Sequence, residues 1–295
     1  MTDLEIKPTT LAAGIGDRTT RVIGAILVGS GRLNQSDVEQ VQRLAQQTGL
    51  KFGDAAIQLK LVTQEDIEFA LARQFNYPIL SHGPNGIVAH EVIAAYNTQC
   101  KAVEDLRTLR SRLAIGWLKG ASRNILAIAS PERGDGRSWL AANLATAFAQ
   151  AGVRTLLIDA DMRYPRQHKL FNLNNATGLS ALLTGRATRD IARRVHPQLR
   201  LFVATAGTLP PNPQELLTRP VCDVVLDQFS EHFDLVVLDT PALTETADCE
   251  LLAARAGAAV MVTHLNHTRH SRLTIAMESL TRSGVNVIGS VVNEH

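Results

Sequence analysis

The residues able to do chemistry stand in three places. The stretch Ser130-Pro131-Glu132-Arg133-Gly134-Asp135-Gly136-Arg137-Ser138 lies between an apolar run and a segment with helical spacing, while Asp159, Asp161 and Asp239 each follow a later apolar run. Gly134 and Gly136 allow a sharp turn into a helix, whose free N–H groups and positive dipole end cradle phosphate. Ser130, Gly134, Asp135, Gly136, Arg137, Ser138 and Trp139 are the candidate nucleotide contacts, although an indole such as that of Trp139 more often packs a core. Carboxylates that converge on a polyphosphate repel it unless a cation lies between them, so Mg²⁺ is expected on Ser138, Asp159 and Asp239. Asp161 could polarise an incoming hydroxyl or water, Arg137 and Asp159 complete the candidate catalytic set, and Arg163 adds a charge suited to phosphate. The loop departs from G-x-x-x-x-G-K-[ST] at two points, with Pro131 for the first glycine and Arg137 for the lysine.

The elements that must position these residues follow from the pattern of apolar runs. Ile125 to Ala129, Thr155 to Ile158, Leu201 to Ala204, Leu235 to Leu238, Ala258 to Val262 and Val285 to Val292 read as strands that alternate with helical stretches. That alternation predicts an α/β fold with a mainly parallel sheet and a P-loop NTPase domain over residues 99–295, its acidic residues at the carboxyl ends of strands where such sheets bind ligands. Ahead of it, Gly24 to Leu44 overlays Gly53 to Arg73, pairing Leu33 with Val62, Asp37 with Asp66 and Val41 with Ala70. This internal duplication predicts a small all-helical module over 21–80, with Ser36/Glu39 and Thr63/Asp66 as capping boxes. A tail over 1–20 and a turn-rich linker over 81–98 complete the expected organisation. Residues Lys101 to Ile115 read as a helix with Glu104, Arg107 and Arg110 one turn apart on a charged face.

At 295 residues and 45% apolar content the chain has ample material for a core, and a net charge of +2 gives no general attraction to nucleic acid or anionic membrane. Three widely spaced cysteines fit a reduced cytoplasmic protein, and no apolar stretch approaches the roughly 20 residues that span a bilayer, so any membrane role is expected through a partner. His264, His267 and His270 are read as a polar helix start rather than a metal site.

Leu157-Ile158-Asp159-Ala160-Asp161-Met162-Arg163 resembles the second Walker motif of the bacterial tyrosine kinases of exopolysaccharide synthesis, and Val236-Val237-Leu238-Asp239-Thr240-Pro241 resembles their Walker B. Glu104, Arg107 and Arg110 match their E-x-x-R-x-x-R helix, Pro210 to Leu217 matches P-P-N-P-x-E-L-L, Asp248 matches an aspartate after Walker B, and Asn293 stands where related ATPases contact adenine. The front module, around Phe52-Gly53, Leu61-Val62 and Ile67, resembles the N-terminal domain of type II secretion and pilus ATPases, some of which bind cyclic di-GMP. It departs at Lys60, where a glycine is usual, and at Ala45, where a glutamine is usual. Together these features look most like EpsG-type chain-length-determinant kinases. The resemblance implies ATP and Mg²⁺, a protein tyrosine as substrate, ring assembly through Glu104, Arg107 and Arg110, and a membrane-bound chain-length determinant as partner that recruits the chain to the inner membrane. It also leaves an alternative: Arg137, and the absence of any tyrosine beyond Tyr164, suit a catalytically weak or inactive ATP-binding regulator. Partitioning ATPases share the expected fold but carry a lysine where Glu132 stands.

Overall fold

The computed structural model describes residues 22–75, 77–80, 88–97 and 100–294, apart from the side chain of Arg189, and divides at Ser81/His82 into two compact units. The expected tail over 1–20 and residues 81–87 of the expected linker lie outside the described residues.

Among its described residues the first unit contains four helices: α1 (22–29), α2 (Gln35–Thr48), α3 (Phe52–Gln58) and α4 (Gln64–Gln74). The duplication is visible in their caps. At α4 the Thr63 hydroxyl accepts from the Asp66 N–H while Asp66 accepts from the Thr63 N–H, the expected reciprocal box. At α2 the box is Asn34/Asp37, not Ser36/Glu39, because the shorter reach from Asn34 already satisfies the third N–H and Ser36 only donates to Asn34 Oδ1 at 2.5 Å. Leu27, Val41, Ala55, Ala56 and Ala70 are fully buried between the two copies. Lys60, the position where a glycine is usual, has φ +56°, matching Gly31 at φ +71° in the first copy.

The second unit is built on a seven-stranded sheet. Its strands are β1 (Ile125–Ala129), β2 (Thr155–Asp159), β3 (Ala192–Arg194), β4 (Leu201–Ala204), β5 (Leu235–Asp239), β6 (Ala258–His264) and β7 (Asn286–Asn293), in the order β3-β4-β2-β5-β1-β6-β7. Six are parallel as expected, and the short edge strand β3, which the apolar pattern does not reveal, pairs antiparallel with β4. Every residue of β1, β2 and β5 is buried, which accounts for their continuous apolar runs. The register sets Asp159 directly beside Asp239.

The helices are α5 (Lys101–Gly116), α6 (Arg137–Gln150), the short α7 (Gln167–Leu170) and α8 (Leu179–Leu183), α9 (Pro213–Thr218), α10 (Pro220–His232), α11 (Asp248–Ala256) and α12 (His270–Arg282). The sequence reads α6 as amphipathic, yet it is buried almost all round, between the sheet and a layer formed by α5 and residues 93–95. Residues 88–97, expected as linker, therefore belong to this unit. Asn143 on α6 accepts from the Ala94 N–H at 3.0 Å and donates to Glu91 O at 3.1 Å, while Gln150 donates to Ala94 O at 2.7 Å. Buried amides on α6 need partners, and this segment's backbone supplies them.

Candidate active site

The phosphate loop runs from the end of β1 into α6. Gly134 and Gly136 both have φ +94°, and a Cβ on Gly136 would stand 2.3 Å from Asn293 Nδ2, so only glycine fits there. Asp135 is fully buried and holds the loop in shape: it accepts from the Glu132 N–H at 2.8 Å and from the Thr268 hydroxyl at 2.7 Å, with His267 Nδ1 at 3.4 Å. Asp135 thus serves the loop's frame through its side chain, and the turn after β6 clamps the loop from outside. His264 closes β6 and His270 opens α12, so the three histidines do not act together as one helix start.

Arg137 is 7% exposed and turns inward: it donates to Ser130 Oγ at 2.5 Å and to Asp161 Oδ2 at 3.5 Å, with Asp239 Oδ1 3.8 Å from its Nε. Asp161 is fixed by the N–H groups of Arg163 and Tyr164, which donate to its Oδ1 at 3.2 and 2.9 Å. Asp159 accepts from the Arg166 and Gln167 N–H groups at 3.0 and 2.9 Å through Oδ2 alone. The fold thus gathers Ser130, Arg137, Ser138, Asp159, Asp161 and Asp239 from two strand ends and one loop.

Burial pushes the Asp159 carboxyl well above the usual carboxylate range, and the charge of Asp239 beside it adds to the rise. Asp239 is also raised by burial, while Arg137 and hydrogen bonds from Gln167 and Ser138 draw it back down. Asp159 Oδ1 and Asp239 Oδ1 are buried without a hydrogen-bond partner in the described structure. Two adjacent carboxylates, each with an oxygen that accepts no hydrogen bond and next to a serine, match the oxygen donors that a hard cation takes. Among the described residues no three His, Cys, Asp or Glu side chains form a ready-made metal cage.

Gln167 is the residue that sequence reasoning missed. Its amide is fully buried and donates to Asp239 Oδ2 at 2.7 Å and Ser138 O at 3.0 Å, tying the phosphate loop to β5. No motif spacing marks it, because the chain must first turn at Tyr164-Pro165 before α7 returns over the strand ends. Asp248, buried on α11, accepts from Arg163 Nε at 3.1 Å and so ties down the residue after Met162. Trp139 and Asn293 line a neighbouring cavity of about 440 Å³ with Leu106, Leu109 and Val262, and Asn293 Nδ2 donates to Asp135 O at 3.4 Å. Glu104 pairs with Arg107 of the same helix at 3.2 Å, and Arg110 donates to Ala147 O on α6 at 3.3 Å, so this trio lies away from the carboxylates.

A phosphate loop feeding a buried helix, with aspartates at adjacent parallel strand ends, defines a P-loop nucleotide-binding domain. The sequence profile of the CobQ/CobB/MinD/ParA nucleotide binding domain matches residues 126–295. CapB of Staphylococcus aureus, named as a tyrosine-protein kinase, is 34% identical over 191 residues, covering 65% of this chain and 83% of CapB. EpsB of Ralstonia solanacearum, named likewise, is 38% identical over 65% of this chain but only 26% of its own length. The solved kinase domain of Escherichia coli tyrosine kinase ETK superposes with a TM-score of 0.62 at 31% identity, covering 65% of this chain and 75% of that domain. The chain belongs to the bacterial tyrosine-protein kinase family, and it spans about a quarter of the length of longer relatives such as EpsB.

Proposed function

We propose that this chain is a cytoplasmic, Mg-ATP-dependent protein-tyrosine kinase that regulates exopolysaccharide chain length, polymerisation and export together with a membrane-bound chain-length determinant. The observation that carries this reading is the approach of Asp161 and Asp239 to Arg137 at the phosphate loop, with Ser138 bonded to Asp239 and Asp159 beside Asp239 in the sheet. The loop N–H groups and Arg137 bind the phosphates, with Arg137 exchanging Asp161 for phosphate oxygens as nucleotide enters. Ser138, Asp159 and Asp239 would hold Mg²⁺, which would supply positive charge to neutralise that of the transferring phosphoryl group. Asp161, released from Arg137, accepts the proton of the tyrosine hydroxyl as its oxygen attacks the γ-phosphorus and the bond to ADP breaks. Trp139 and Asn293 border the space for the nucleoside.

The inward Arg137 favours this reading over the inactive regulator, because its full charge is retained where the lysine charge would stand. Among the described residues no helix is long and apolar enough to cross a membrane, which suits recruitment by a partner. The helical module serves as a docking unit; nothing in its described residues supports the cyclic di-GMP ligand implied by its resemblance. The test is incubation of the full chain with Mg-ATP and a tyrosine peptide, scoring nucleotide loss and phosphotyrosine. Asp161→Asn is expected to cut transfer by about 10²- to 10⁴-fold while leaving ATP affinity within a few-fold. Phosphotyrosine formed equally well by the variant would remove Asp161 from the mechanism, and none formed by the unaltered chain, with or without the partner's cytosolic segment, would sink the kinase reading.

A further inference from the structure

Outside the carboxylate centre the same cleft has a mouth of different character. Its cavity, about 910 Å³, is bordered by Arg133, Tyr164, Arg166, His168 and Lys169, with Glu91 as the only exposed acid among the described residues of this rim. Arg166 is committed to Glu91 through one guanidinium nitrogen, which donates at 3.1 and 3.3 Å to its two oxygens. Arg133 and Lys169 are exposed and pair with no carboxylate among the described residues. Arg133 instead lies on the ring of Tyr164, 3.8 Å from its centroid. Tyr164 is 49% exposed, and its N–H donates to Asp161 Oδ1 at 2.9 Å, so an aromatic surface is anchored beside the carboxylate that takes the acceptor's proton.

We propose that this mouth selects acceptor tyrosines set in acidic segments, with Arg133 and Lys169 reading the flanking carboxylates and Tyr164 packing against the acceptor. The proposal rests on the kinase reading and names the substrate class of that same site. Two cations that form no ion pair among the described residues, on a concave rim, attract carboxylates at low cost, since no such pair must be broken. Phosphate of the nucleotide is met by the loop N–H groups and the buried Arg137, whereas the exposed Arg133 lays its guanidinium on the Tyr164 ring. Aromatic rings favour offset or edge contact, so the half-exposed Tyr164 gives an incoming phenol a surface while its hydroxyl reaches Asp161.

The experiment uses the full chain with two peptides of equal length, each with one tyrosine, flanked either by glutamates or by lysines. Transfer from Mg-ATP is measured as kcat/KM, and binding is measured separately by fluorescence anisotropy without nucleotide. The acidic peptide is expected to win by about tenfold in both at low salt, with the margin shrinking as ionic strength rises. Arg133→Glu combined with Lys169→Glu is expected to reverse the order while the KM for ATP moves less than about twofold, and the single alanine variants are expected to erase part of the margin. Equal binding and transfer of the two peptides by the unaltered chain overturns the proposal and leaves the kinase reading intact. A rise in the KM for ATP with the peptide preference unchanged also overturns it, by assigning the two cations to nucleotide. Failure to transfer to either peptide, under conditions where Mg-ATP binds, instead defeats the kinase reading, and the anisotropy preference then decides the acidic-segment surface by itself.

Discussion

At the scale of single residues the site is a set of charges held where water would otherwise be preferred. Asp159 is the clearest case: burial first, then the neighbouring Asp239, raise its carboxyl well above the ordinary value of 3.8. A carboxyl raised on folding favours the folded state below the ordinary value, and that contribution is lost as pH rises through the raised one. The nucleotide-free chain is therefore expected to lose stability across that window, and Asp159→Asn to flatten the loss. An asparagine oxygen can still accept from the Arg166 and Gln167 N–H groups, so the variant should be more stable by on the order of 1 kcal/mol at neutral pH while losing its Mg²⁺ response. Urea unfolding of both proteins over pH, with and without Mg²⁺, reads this directly; a variant less stable than the parent at every pH would show that the charge is not what strains the site.

At the scale of elements, the duplicated helical module makes its own demand on sequence. Gly31 and Lys60 occupy equivalent turns and both have positive φ, but only glycine adopts that conformation without a clash from Cβ. Lys60→Gly is expected to stabilise the module by about 1 kcal/mol, the strain removed being partly offset by the greater freedom of glycine in the unfolded chain. Proteolysis rates at the module, or amide exchange in α3 and α4, would register it, and faster exchange in the variant would contradict it. The phosphate loop shows the opposite arrangement. There both glycines are present, and the frame comes from Asp135, Thr268 and Asn293 in three separate parts of the chain. The backbone can be strained at Lys60 because helices on either side hold it, whereas a loop that must present its N–H groups to phosphate keeps its glycines.

For the whole molecule, the proposed ring assembly turns on α5. Arg110 is tied to Ala147 O on α6, which makes it partly a structural residue, while Glu104 is exposed and pairs with Arg107 one turn along the same helix. Glu104→Arg is therefore the sharper test: light scattering is expected to shift toward monomer with thermal stability changed by less than about 1 kcal/mol, since an exposed glutamate contributes little within its own subunit. An unchanged mass would remove α5 from the assembly. What the sequence determined alone was whatever is local or periodic: six parallel strands from their apolar runs, the phosphate loop from its glycines, the helical module from its duplication, and the three aspartates from their places after strands. What only the tertiary structure decided was whatever depends on residues distant in the chain meeting. Gln167 joins Ser138 to Asp239, residues 88–97 satisfy the buried amides of α6, β3 pairs as an antiparallel edge, and Arg137 folds inward onto two carboxylates. The physical reason is that hydrophobic period and turn chemistry act over a few residues, whereas pairing a buried polar group depends on which chain segment the packed sheet brings within hydrogen-bond reach.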